Sequence, residues 1–147
     1  MYQFSIYHFL VLITLGFCSN SQAAEQPFIE VVTSNIFPVS NSRVLQRQGY
    51  SINVYNLDDG KRLVAQIGTH LPHNQKAAKN ALQQRFKKMG EEQVNAQFMH
   101  AFQAITISTQ YGLTHYPAVV FNHGESVVYG VTNLVQALSL YQQWKAK

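Results

Sequence analysis

The chain has 147 residues, enough for one domain with a sizeable core and too few for two. Charged residues make up 12% and hydrophobic residues 46%, and the formal net charge is +4, a mild basicity that suits an acidic partner, an anionic surface or nucleic acid without choosing among them. The single cysteine is Cys18, which excludes an intrachain disulfide and any chemistry that needs a pair of thiols.

The hydrophobic excess begins at the N-terminus. Phe9 to Cys18, "FLVLITLGFC", carries no charge and is followed by the polar "SNSQAAEQP". That run is too short for a helix to cross about 30 Å of hydrocarbon, but it fits the apolar centre of a secretory signal. Ser21 and Ala23 satisfy the small-residue rule for cleavage after Ala23, and a cut after Ala24 fits as well. The expectation is a signal peptide over 1–23, a mature domain over 24–147 and a periplasmic location. The leader has no Lys or Arg, so an uncleaved anchor is the alternative. The large Phe17 before Cys18 argues against lipid attachment. All Lys, Arg, Asp and Glu lie after residue 24, so the mature chain keeps the full charge and has no thiol.

"FIEVVTS" (28–34) is apolar and β-branched, bounded by Pro27 and polar residues, and reads as a first strand. "NIFPVSNSRVLQRQG" holds a turn and a short helix ending at Gly49, with Ser40 or Asn41 as the capping residue. "YSINVYNLD" (50–58) is the second strand, closed by a turn signal at Asp59-Gly60. From Asn74 to Met89, Ala78, Ala81, Leu82, Phe86 and Met89 recur at helical spacing, and Gly90 ends the run. A further helix follows, with Val94, Phe98, Ala101, Phe102 and Ile105 as its stripe and Gly112 as its exit.

Pro117 has no N–H to give a ladder, so it marks the start of the strand "AVVF" or the turn into it. "AVVF" and "SVVYG", joined by "NHGE", form an antiparallel hairpin. Thr132 caps a last helix whose buried side is Leu134, Val135, Leu138, Tyr141 and Trp144.

This order, β-α-β-α-α-β-β-α in a single α/β domain, resembles the thioredoxin-like family. "THYPAVVF" looks like that family's proline loop, with Thr114, His115 and Tyr116 leading into Pro117. The resemblance implies a cis Tyr116–Pro117 bond. The redox members need Cys-x-x-Cys after the first strand, because one thiolate attacks and the other resolves. Here the corresponding stretch, "TSNIFPVSN", has no cysteine, so oxidoreductase or isomerase activity is not expected.

Over about residues 28–145 the chain is also similar to a group of exported proteins encoded on integrating conjugative elements. The residues that carry this are "IEVVTSNIFPV", "INVYNLD", "GLTHYPAVVFN" and "VVYGVTNLVQAL". More distantly, that group resembles thioredoxin-like periplasmic components of F-type pilus assembly. The resemblance implies a place in a conjugative type IV secretion apparatus, with other apparatus proteins in the envelope as partners.

His70-x-x-His73 has metal-like spacing, but Pro72 between them favours a loop, and surface histidines are the simpler reading. Ser34, Ser40 and Ser42 lack the neighbouring base and glycine elbow that a nucleophile needs. Lys76, Lys79, Arg85, Lys87 and Lys88 make one helix basic, read first as a solvated face and second as a dock for an acidic partner. No cofactor, metal, small-molecule ligand or direct nucleic-acid contact is expected.

The surface chosen for partner binding is Phe37, Thr114, His115, Tyr116 and Pro117, with Tyr111 and Tyr129 as further aromatics if they are exposed. In redox relatives the proline-loop backbone pairs with an extended peptide by strand addition. The function expected is a non-enzymatic periplasmic assembly factor for conjugation. The alternatives are a periplasmic chaperone or adaptor unconnected with conjugation, and an enzyme with an unrecognised site near Phe37 and Pro117.

Overall fold

The computed structural model describes residues 26–147. The signal-peptide reading of 1–23 and the lone Cys18 lie outside them. Within them, strand β1 (Ile29–Thr33) leads to helix α1 (Ser42–Arg47) and strand β2 (Ile52–Asn56). Three helices follow: α2 (Asp59–Gly68), α3 (Gln75–Met89) and α4 (Glu91–Gln110). Strands β3 (Ala118–Phe121) and β4 (Ser126–Tyr129) flank a one-turn 3₁₀ segment, Asn122–Gly124, and α5 (Leu134–Lys145) closes the chain.

The four strands form one sheet in the order β2-β1-β3-β4. β1 pairs parallel with β2, from Ile29 opposite Ile52 to Thr33 opposite Asn56. It pairs antiparallel with β3, Ile29 opposite Phe121 and Val32 opposite Ala118, and β3 pairs antiparallel with β4. The two central strands are buried at every position, as expected of strands covered on both faces, and this explains why they read as continuous apolar runs without alternation.

Alternate residues of those strands feed two cores. Ile29, Val31, Val119 and Phe121 point to one face and pack with Leu45 of α1 and Leu134, Ala137, Leu138 and Tyr141 of α5. Phe121 and Tyr141 stack with ring centroids 4.4 Å apart. Val32, Ala118 and Val120 point to the other face and pack with Ala104 and Ile107 of α4 and with Leu113. Among the described residues no helix is long and apolar enough to cross a membrane.

The architecture agrees with the mixed α/β class expected, with one element more than the sequence reading. Asp59-Gly60 reads as a turn, yet it is the first turn of α2. Asp59 lies where a negative charge favours a helix N-terminus. Gly60 is buried there because α4 comes close: a Cβ on Gly60 would stand 2.6 Å from the Phe102 ring. The glycine serves helix packing, not chain reversal.

Three further details correct the sequence reading. The side chain that caps α5 is Asn133, which accepts from the N–H groups of Val135 and Gln136; Thr132 does not. At α1 neither Ser40 nor Asn41 supplies a side-chain cap. Asn41 sits in the left-handed region at φ 64°, and its amide donates to Asn133 at 3.0 Å. In α4 the buried positions are Ala101, Ala104, Ile107 and Ser108, whereas Phe102 and Ile105 lie exposed. Small residues form the seam that lets α4 approach the sheet, so the bulkiest side chains do not mark the inward face.

The Tyr116–Pro117 bond is cis, as the resemblance implies. The carbonyl of Pro117 accepts from Gly130 N–H at 2.9 Å, so the proline continues the β3–β4 ladder with the one backbone group it has to offer.

Candidate functional site

The carboxyl ends of the parallel pair β1 and β2 and the start of β3 lie at one end of the sheet, because β1 and β3 run antiparallel. In open α/β sheets, ligands bind in the crevice beyond the carboxyl ends of the strands. Ser34 to Phe37 forms a tight turn there, closed by Phe37 N–H to the Ser34 carbonyl at 3.0 Å. The Thr33 hydroxyl donates to the Phe37 carbonyl at 2.5 Å. Asn35 N–H donates to the Asp58 carboxylate at 2.9 Å, and the Asn56 amide donates to the Asn35 side chain at 2.8 Å. These bonds pin the turn to the β2–α2 junction and leave its apolar side chains in water: Ile36 is 80% exposed and Phe37 40%.

The loop before β3 completes this end. Thr114 and His115 are exposed, Tyr116 is half-buried and Pro117 is buried. The Thr114 hydroxyl and His115 Nδ1 lie 2.9 Å apart, and the His115 ring stands edge-on to Tyr129, centroids 5.9 Å apart. On the far side Ser40 bridges Asn133, with Ser40 N–H to the Thr132 carbonyl at 2.9 Å and Leu134 N–H to the Ser40 carbonyl at 3.2 Å. The chosen residues are thus brought to one end of the sheet, with Phe37, Thr114 and His115 outward and Tyr116 and Pro117 turned toward the core.

Exposed apolar and aromatic groups on a hydrogen-bonded frame suit protein contact. The bonds that Ser34 and Ser40 make here run through their backbone groups. His70 and His73 are exposed between α2 and α3. Among the described residues, no group of three or more His, Cys, Asp or Glu side chains is placed to hold a metal.

Tyr111 belongs elsewhere. Its hydroxyl donates to Glu30 Oε2 at 2.6 Å, the Tyr55 hydroxyl donates to Oε1 at 3.2 Å, and His123 Nδ1 lies 3.6 Å from Oε2. Glu30 is only 4% exposed, as the second residue of the central strand β1. Burial is the main cause that pushes the Tyr111 hydroxyl up to about 12, with the hydrogen bond to Glu30 next. Tyr55 is raised too, by burial and then by the Glu30 charge.

Both carboxylate oxygens therefore accept from protein hydroxyls, and the group ties β1 to β2 and to the end of α4. Its partner His123 holds a left-handed conformation at φ 56° and stacks on Phe28, centroids 4.6 Å apart. The sequence pattern alone does not bring this cluster together. Its signal is present, an acid inside the otherwise apolar "IEVVT".

Residues 26–147 match a family described as a protein of unknown function, DUF1525. The chain belongs to the DUF1525 family. Neither a search of curated proteins nor a search of solved structures returned a match. For this DUF1525 domain, the conjugative and pilus-assembly resemblance is therefore a matter for proposal.

Proposed function

We propose that this DUF1525 protein is an exported, non-enzymatic, thioredoxin-like adaptor that works in a conjugative secretion apparatus, holding another envelope protein at the end of the sheet that bears Phe37 and the proline loop. The observation that carries the reading is the composition of that end. Where a redox member of the fold presents two thiols, residues 33–41 present Ile36 and Phe37 to water and contain no cysteine.

Two further features support it. The sheet order β2-β1-β3-β4, with a parallel first pair, an antiparallel hairpin and a proline opening β3, supports the thioredoxin-like reading. The turn beneath Phe37 is fixed by side-chain hydrogen bonds, and preorganisation of this kind lowers the ordering cost of binding.

The test is transfer frequency from a donor carrying a clean deletion of the gene, complemented by the full-length chain or by a chain lacking residues 1–23. Transfer falls in the deletion and returns only with the full-length form. Unchanged transfer from an otherwise active element removes the conjugative assignment, and rescue by the shortened form removes export.

A further inference from the structure

α2 and α3 pack on α4 outside the sheet, and no residue of α3 is fully buried. Between them lies a cavity of about 470 Å³, within the range of about 300–1,000 Å³ common for small-molecule sites. Leu63 and Ile67 of α2 and Met89 of α3 form its apolar wall, Arg85, Lys88 and His70 line it with basic groups, and Gln66, Thr69 and Gln97 add neutral polar ones. Among the described residues no carboxylate lines it.

The chemistry at this mouth is one-sided. Arg85 and Lys88 are three residues apart on α3 and so share a face, and neither takes part in an ion pair found among the described residues. The C-terminal carbonyls of α2 would repel an anion, but those of Ala65, Gln66 and Ile67 already accept hydrogen bonds. Thr69 Oγ1 donates to Ala65 at 2.9 Å, Thr69 N–H donates to Gln66 at 3.3 Å, and the Arg85 guanidinium donates to Ile67. Arg85 is thereby held half-buried over the cavity, with N–H groups left for a ligand. The bond to Ile67 also caps the C-terminus of α2, where a cation is favourable.

We infer that the α2–α3–α4 cavity binds a small anionic amphiphile, with its apolar body against Leu63, Ile67 and Met89 and its carboxylate or phosphate on Arg85 and Lys88. The site is independent of the proline-loop surface, which lies at the end of the sheet.

Titration of the isotope-labelled protein with monomeric decanoate, followed by amide shifts, tests this. Saturable shifts are expected at Leu63, Ile67, Lys88 and Met89. Lys88→Glu weakens binding by about tenfold or more, the scale expected when a charge-assisted contact becomes repulsive. Lys76→Glu, an exposed lysine on the same helix that does not line the cavity, changes net charge equally and leaves affinity within about twofold. Neutral octyl glucoside below its micelle-forming concentration binds far more weakly than decanoate. Absence of saturable shifts, equal loss from both lysine variants, equal binding of octyl glucoside, or binding only to phosphatidylglycerol vesicles each overturns the inference.

Discussion

Tyr111→Phe isolates the contact that holds the buried Glu30. The substitution keeps the ring, which packs against the second core and borders Gly124, and deletes only the hydroxyl that donates to Glu30 at 2.6 Å. A hydrogen bond to a charged group contributes about 1.5–3 kcal/mol.

The expected loss at pH 7, read from urea unfolding at constant slope, is therefore about 1.5–3 kcal/mol. The rise of the Tyr111 hydroxyl from 10.0 to about 12 acts on the pH dependence instead, because its largest cause, burial, penalises the phenolate and adds nothing to the bond of the neutral hydroxyl. The sign of the pH dependence follows from the same shift. A folded pKa above the unfolded one contributes stability that is complete below pH 10 and is lost as pH rises toward about 12. The wild type should thus lose its advantage over Tyr111→Phe across that window. In a Glu30→Gln background the cost of Tyr111→Phe should fall to that of a neutral bond, about 1 kcal/mol or less. A loss below about 0.5 kcal/mol at pH 7, or an undiminished loss in the Glu30→Gln background, refutes the coupling.

Asn133→Ala removes the cap of α5 and the acceptor for Asn41, and should cost about 1–2 kcal/mol in a urea melt, against less for Asn41→Ala. Gly60→Ala places a methyl against the Phe102 ring; because that ring is partly exposed and can give way, the expected cost is about 1 kcal/mol, diminished in a Phe102→Leu background. Glu125 is held below its ordinary carboxylate range, first by the Asn122 amide, then by the Tyr141 hydroxyl, with Lys145 also contributing. Its contribution is present above the unfolded pKa and lost as pH falls, so Glu125→Gln should flatten the acid limb of the stability profile.

The strands and the existence of the outer helices were legible because their patterns have one cause each, although Val135 and Trp144, expected on the buried side of α5, lie exposed. "IEVVT" and "AVVF" are apolar because both of their faces are covered, and Pro117 is confined to the start of a strand by its missing N–H. What stayed hidden depends on distant partners. Gly60 looks like a turn residue until Phe102 is seen above it. The inward face of α4 is marked by Ala101 and Ala104 and not by Phe102 or Ile105, a preference set by how closely helix and sheet approach. Of the candidate site, Phe37, Thr114 and His115 could be placed at one surface from the strand order. The burial of Glu30 could not, since its acceptable partners, Tyr55 and Tyr111, lie 25 and 81 residues away.

The central claim is that the Phe37 end of the sheet holds a partner needed for transfer. Its most direct test is the transfer frequency of a donor whose only copy of the protein carries Ile36→Asp and Phe37→Asp. Both side chains are exposed, so the unfolding midpoint should change by no more than about 0.5 kcal/mol per site. A folded, normally abundant variant that transfers as poorly as the deletion is the predicted result. Normal transfer from the same variant contradicts the account.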